Sequence, residues 1–244
     1  MVRGTRGRIG IIYPADGLID DEFFKFVPED VAIHITRISV PEEKLSVNVV
    51  AQVAETSEIE QAAKMLRITR PNVIAYACTS GSFLKRGYEK KISQRIEKVT
   101  NIPAITTTQA VIDAFNLLGI RKVVVIAPYP DDINSHLKKY LEEIGIHIVG
   151  FKGLNLNYEW KIGNFRTEEL YKHATNSFNP NADGLFIPCT GLRTAEIIEP
   201  LEKELGVPVV SANQATMWKA LQIANINEPV KGCGALLRQS RIIT

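Results

Sequence analysis

Two cysteines in this chain occupy the same local setting. Tyr76-Ala77-Cys78-Thr79-Ser80-Gly81-Ser82 and Ile187-Pro188-Cys189-Thr190-Gly191 each run from apolar residues into Cys-Thr and then into small residues. A thiolate is both a nucleophile and a base. A thiol placed just before a helix start titrates below its ordinary value of about 8.5, because free N–H groups and the helix dipole stabilise the anion. Those N–H groups, at Thr79, Ser80 and Gly81 and at Thr190 and Gly191, can also hold a carboxylate. The hydroxyls of Thr79, Ser80 and Thr190 add donors. Two such sites face to face suit a small substrate, either a dicarboxylate or an α-substituted acid. Opposed thiols can remove a proton from one face of a carbon and return one to the other. Alternatively, one thiolate adds to an activated double bond while the other donates a proton.

The elements that must position these thiols repeat along the chain. Strand patterns at Ile11, Ile35, Val73–Ala77 and Pro103 alternate with helical spacing in the first half. Strand patterns at Val124, Ile148, Gly184–Ile187 and Pro208 alternate with helices in the second. The landmarks keep their order, with offsets of 113 residues from Ile11 to Val124, 111 from Cys78 to Cys189 and 105 from Pro103 to Pro208. Strands alternating with helices imply parallel sheets covered on both faces. The predicted fold is therefore α/β, with two pseudo-symmetric lobes, each a four-stranded parallel sheet flanked by helices. Lobe boundaries fall at 1–118 and 119–244, with a C-terminal helix able to cross over to the first lobe. Carboxyl ends of strands face the crevice of such sheets, so both thiols should meet in one cleft. Ser57-x-x-Glu60 has the form of a capping box at the start of the second helix. The segment from Gly153 to Arg166 has no clear period and reads as a loop over the site.

Composition narrows the partners. A net charge of +2 gives no argument for nucleic acid or an anionic membrane. No apolar run approaches the roughly 20 residues of a membrane span. The basic start, Met1 to Arg8, is followed by a strand pattern, so no signal peptide is expected. Three cysteines without a compact framework fit free thiols in a reducing cytoplasm. No Cys-x-x-Cys or His-Cys cluster offers a metal site. Cys233 has no twin and reads as structural. Asp16, in Pro14-Ala15-Asp16-Gly17, either orients substrate or makes a turn. Tyr129 follows a strand end, where its hydroxyl either reaches the cleft or packs the loop. His34 and His147 sit within strand patterns and read as packed or edge residues.

The cysteine stretches resemble those of the aspartate/glutamate racemase superfamily, and within it the maleate cis–trans isomerase and arylmalonate decarboxylase branch. Ala77 to Phe83 is similar to the first cysteine motif of the isomerases, and Pro188 to Thr194 to the second. Pro128-Tyr129 resembles the substrate-contacting tyrosine of that branch, and Ser211 to Ala215 followed by Trp218 the start of its C-terminal helix. The resemblance implies a cofactor-free isomerase that acts on a small carboxylate substrate and assembles as a homodimer or larger homo-oligomer. Cys78 would add to the double bond of a small unsaturated dicarboxylate, and Cys189 would supply a proton. A racemase of amino or α-substituted acids would use the same thiols as opposed acid and base. Asp16 favours that reading modestly, because a cationic amino group would welcome it. The branch's decarboxylases have glycine at the first cysteine, which this chain does not. A small-acid binding protein would not need two thiols. The isomerases carry an asparagine in the first loop, where this chain has Asp16; an aspartate there repels a dicarboxylate unless protonated. A second family asparagine maps into Gly153–Gly163, with Asn157 the matching residue.

Overall fold

Eight short strands, rich in valine and isoleucine, set the architecture of the computed structural model, which describes residues 4–238. The first half runs β1 (Gly7–Pro14), α1 (Asp20–Lys25), β2 (Val31–Ile38), α2 (Val47–Glu55), α3 (Glu58–Arg67), β3 (Val73–Tyr76), α4 (Thr79–Phe83), α5 (Tyr88–Thr100), β4 (Ala104–Thr106) and α6 (Thr107–Leu118). The second runs β5 (Lys122–Ala127), α7 (Asp131–Glu143), β6 (His147–Gly153), α8 (Glu159–Gly163), α9 (Thr167–Asn176), β7 (Gly184–Ile187), α10 (Ala195–Leu205), β8 (Val209–Ser211), α11 (Ala212–Ile223) and α12 (Gly234–Arg238). The sheets have the orders β2-β1-β3-β4 and β6-β5-β7-β8, with every pairing parallel. The repeat seen in the sequence is thus a repeat of topology. β3 and β7, which lead to the two cysteines, hold equivalent places beside the strand that opens each half. Such strands are near-continuous apolar runs because helices cover both faces.

The halves are also joined by their last helices. Thr106 and Ser211 end β4 and β8 and cap α6 and α11 by accepting from Gln109 N and Gln214 N. Ser211 and Gln214 form a reciprocal capping box. α11 is buried on nearly every side, Ala212 through Met217 included. It packs on α6 and also on β3 and β4 of the other sheet. Thr107 and Thr216 hydroxyls meet at 2.9 Å between the two helices. One apolar cluster accordingly runs through both lobes, from Ile9 to Leu237.

The structure departs from the sequence reading in several elements, α8 among them, which lies in the segment read as a loop. Ser57 makes no capping bond; it has helical backbone angles, which aim its hydroxyl away from the free N–H groups. Thr56 Oγ1 accepts from Glu58 N instead, and Glu60 pairs with Arg95. Two helices, not one, connect β2 to β3. The added one, α2, starts at Ser46, whose hydroxyl accepts from Val49 N. α11 is followed by a further short helix, α12. The Met1–Arg3 part of the basic start lies outside the described residues.

Candidate active site

Cys78 follows β3 through Ala77. Its backbone is extended and it occupies the capping position of the five-residue α4. Fully buried Ser82 fixes the turn by donating to the Cys78 carbonyl at 2.8 Å. Cys189 follows β7 through Pro188. It adopts the left-handed region, with φ of 83°. A side chain there is strained by roughly 1–2 kcal/mol. No helix starts after it: residues 190–194 form a turn, and α10 begins at Ala195. The expected second helix N-terminus is therefore absent at Cys189, and a single N–H, that of Gly191, reaches its sulfur at 3.3 Å.

The turn after Cys189 is held by the other lobe. Tyr13 of β1 donates its hydroxyl to the Thr190 carbonyl at 2.9 Å, and Asn213 donates to the same carbonyl. Thr190 Oγ1 donates to the Ala77 carbonyl, one residue before Cys78. Glu22 of α1 is fully buried and accepts from Thr194 N at 2.5 Å and Ala195 N at 2.7 Å. Asp21 pairs with Arg193 through both guanidinium nitrogens.

Both thiols line one open-mouthed cavity of about 490 Å³, counting the space at its mouth. Its polar wall contains Asp16, Thr79, Ser80, Tyr129, Glu159 and Thr190. Its apolar wall comes from Val40, Leu45 and the α2 residues Val49, Val50 and Val53. Thr79 Oγ1 is buried without a hydrogen-bond partner among the described residues, and the buried Tyr129 hydroxyl has only the Cys189 thiol beside it. Buried polar atoms are rarely left unpaired and a thiol is a weak partner, so both hydroxyls are placed for a ligand. Removing the Tyr129 hydroxyl should therefore spare the fold. Tyr129→Phe is expected to raise KM by about 10–100-fold, as for a lost hydrogen bond to a charged group, with an unchanged melting curve.

Of the residues singled out from sequence, Cys78, Cys189, Thr79, Ser80, Tyr129, Thr190 and Asp16 line the cavity. The Thr190 hydroxyl, however, is occupied by Ala77. Gly191 lies behind the lining and serves the Cys189 sulfur. Asn157 is not among the lining residues; its carbonyl accepts from Leu45 N at 2.9 Å. Two residues on, Glu159 enters the cavity instead, with Oε1 3.9 Å from Cys189 Sγ. Glu159, Tyr13 and the α2 wall were not identified from sequence. Ser46 followed by Val49, Val50 and Val53 was a readable signal for α2. For Glu159 the only signal was an acid at the start of a very short helix.

Burial overrides the expected acidity of the thiols. Cys78 is pushed up to about 11 by loss of solvation, against which the Gly81 N–H and Ser80 hydroxyl pull only partly. Cys189 is pushed well above the ordinary thiol range by burial and by the nearby Glu159 carboxyl. Burial, followed by the charge of Asp16, raises Glu159 to about 8. Asp16 is itself raised by burial. Tyr13 and Tyr129 stay neutral donors for the same reason. In the free protein the rate of Cys78 alkylation by iodoacetamide should keep climbing with pH toward about 11. A plateau near pH 7 would show a pre-formed thiolate.

A family model described as arylmalonate decarboxylase matches residues 9–237. The arylmalonate decarboxylase of Bordetella bronchiseptica is 29% identical over 182 residues, covering 73% of this chain and 76% of that protein. The maleate isomerase of Geobacillus stearothermophilus is 28% identical over 187 residues, 74% of each. Among solved structures, a cysteine-to-serine variant of the Nocardia farcinica maleate cis–trans isomerase, with a covalently bound succinylcysteine intermediate, superposes with a TM-score of 0.88 at 20% identity. That match covers 96% of this chain and 99% of that one.

Proposed function

This chain belongs to the arylmalonate decarboxylase family, and from that premise we propose that it is a cofactor-independent, two-cysteine isomerase of the maleate isomerase kind, acting on a small unsaturated dicarboxylate. The observation that carries this reading is the pair of thiols lining one cavity, with the Thr79 hydroxyl unpartnered and the Tyr129 hydroxyl beside them. The N–H groups at the start of α4 and the Thr79 hydroxyl hold one carboxylate; Tyr129 donates to the substrate from the other side. Cys78 sulfur bonds to one alkene carbon as the π bond breaks. The proton of Cys189 goes to the other carbon. Rotation follows about the new single bond. Cys189 then takes a proton back, the C–S bond breaks and the trans alkene leaves. Atoms and charge balance without any redox partner. The covalent succinylcysteine in the Nocardia enzyme supports a cysteine adduct of this type.

The raised thiols shape the sequence of events. Ionisation of Cys78 is unfavourable in the empty site, so the thiol gives its proton to solvent at the cavity mouth only as the substrate's activated double bond arrives and bonding begins, and takes one back after the C–S bond has broken. This confines a reactive sulfur to the bound complex. The apolar wall of Val40, Leu45, Val49, Val50 and Val53 favours one further reading: an α-substituted acid whose apolar group lies there while the two thiols exchange its α-proton. Proton NMR in deuterium oxide separates the two. Maleate turning to fumarate supports the isomerase. Solvent exchange at an α-carbon, with maleate untouched, supports the racemase and overturns the first. No helix among the described residues is long and apolar enough to cross a membrane. The enzyme works in the cytoplasm, where its cysteines stay reduced, as a homodimer or larger homo-oligomer; light scattering on the purified chain tests the latter.

A further inference from the structure

Going deeper into the isomerase reading, on which this rests, we propose that Glu159 determines specificity: it stands in the cavity as a neutral acid and donates a hydrogen bond to the carboxylate of the substrate farther from α4. The Glu159 carboxyl fills the space over Gly191, so closely that a Cβ on Gly191 would lie 1.8 Å from Oε1. It therefore occupies the position where the second lobe would offer N–H groups to an anion. Gly191 N is already committed to Cys189. Asp16 lines the same cavity, and among the described residues that line it there is no lysine, arginine or histidine.

Every titratable group that faces Glu159 is acidic or neutral. Asp16 comes from the turn after β1, Tyr13 from β1, Tyr129 from the turn after β5, and the two thiols from β3 and β7. Nearby cations are engaged elsewhere. Arg37 pairs with Asp20, donates to the Pro14 carbonyl and stacks on the Tyr13 ring, where its charge partly offsets the effect of burial on Asp16, and Lys161 of α8 lies over Tyr158. Two ionised carboxylates here would repel a dianion. A protonated Glu159 leaves only Asp16 charged and adds a donor, and an O–H donor to a carboxylate forms a short, strong hydrogen bond. Burial and Asp16 together hold Glu159 near 8, so the donor form prevails at neutral pH. The sign follows. Below about pH 8 the site is ready. Above it, binding must take up a proton, and affinity falls about tenfold per pH unit.

Calorimetric titration of the whole chain with succinate, a saturated dicarboxylate that cannot isomerise, tests this from about pH 7 to about pH 9.5 in two buffers of different protonation enthalpy. Wild type should bind with constant affinity below about pH 8, then weaken about tenfold per unit with uptake of about one proton. Glu159→Gln keeps a neutral donor and should bind with flat pH dependence. Asp16→Asn removes the neighbouring charge and should move the wild-type midpoint to lower pH; it remains decisive if the glutamine variant fails to fold. Parallel pH profiles for wild type and Glu159→Gln, an unmoved midpoint in Asp16→Asn, or no succinate binding near pH 7 would overturn the proposal. Maleate turnover is read separately. Proton-linked succinate binding without turnover sinks the isomerase reading alone, and turnover without the linkage sinks this one.

Discussion

Cys78→Ala is expected to reduce maleate turnover by about 10⁴-fold or more, since it removes the atom that forms the covalent bond. Its far-ultraviolet dichroism should match wild type, because truncating one small buried side chain at a turn leaves both sheets in place. Cys189→Ala should fall as far, but stop at a different point. Addition at Cys78 can still occur, with water supplying the proton. The return proton transfer lacks its base, so the thioether persists. Intact-mass measurement after incubation with maleate should therefore show one dicarboxylate added to Cys189→Ala and none added to Cys78→Ala. The double variant should be no slower than either single one, as for residues that act as a unit. An adduct on Cys78→Ala, or substantial turnover by either variant, would refute the division of labour.

Glu22→Ala should be the most destabilising single change near the site. The Glu22 carboxylate, fully buried on α1, accepts from the backbone of Thr194 and Ala195 at the start of α10 and from the Thr194 hydroxyl. Its removal strands buried donors in the turn that carries Cys189. A loss of about 3 kcal/mol is expected, or roughly 10 °C in melting temperature for a chain of this size. The turn is also the one that sets the left-handed backbone of Cys189, so turnover should drop more than the unfolded fraction explains. Cys233, although equally buried, gives the contrast. Its sulfur only meets the Lys25 carbonyl, and its substitution should leave turnover unchanged.

What the sequence made legible was whatever local pattern determines. Buried parallel strands are runs of valine and isoleucine, so Val123–Ile126 and Val73–Ala77 were readable, as was the order in which they recur. The Cys-Thr repeat located both thiols because strand ends and the site coincide in this topology. The acidity of the thiols was not legible. It depends on how deeply the second lobe and α2 bury them, and on Glu159, and none of these is encoded near either cysteine. The helix expected after Cys189 fails because Thr190 to Thr194 spend their polar groups on the other lobe, through Ala77, Tyr13 and Glu22. Asn157 and Glu159 show the limit of reading a loop by residue type. With no periodicity between Leu154 and Arg166, nothing in the sequence decides which side chain turns inward. Ser57 and Ser211 carry the same capping form, and only the second has the extended backbone that lets it work.

The crossing of α11 onto the first sheet has a consequence for engineering. Two lobes around a cleft invite comparison with a clamshell, yet here the hinge is welded. Parting the lobes would mean unpacking α6 from α11 and breaking the ties from Tyr13 to Thr190 and from Thr190 to Ala77. The segment 154–166, which brings Glu159 to the cavity, is held by backbone bonds from Leu154 to Ala127, from Leu156 to Pro128 and from Leu45 to Asn157, and by buried Ile162. The spacing of the two sulfurs is thus a fixed gauge. A designer who wants a bulkier substrate should recut residues 154–166 and the valine wall of α2, and leave the floor alone.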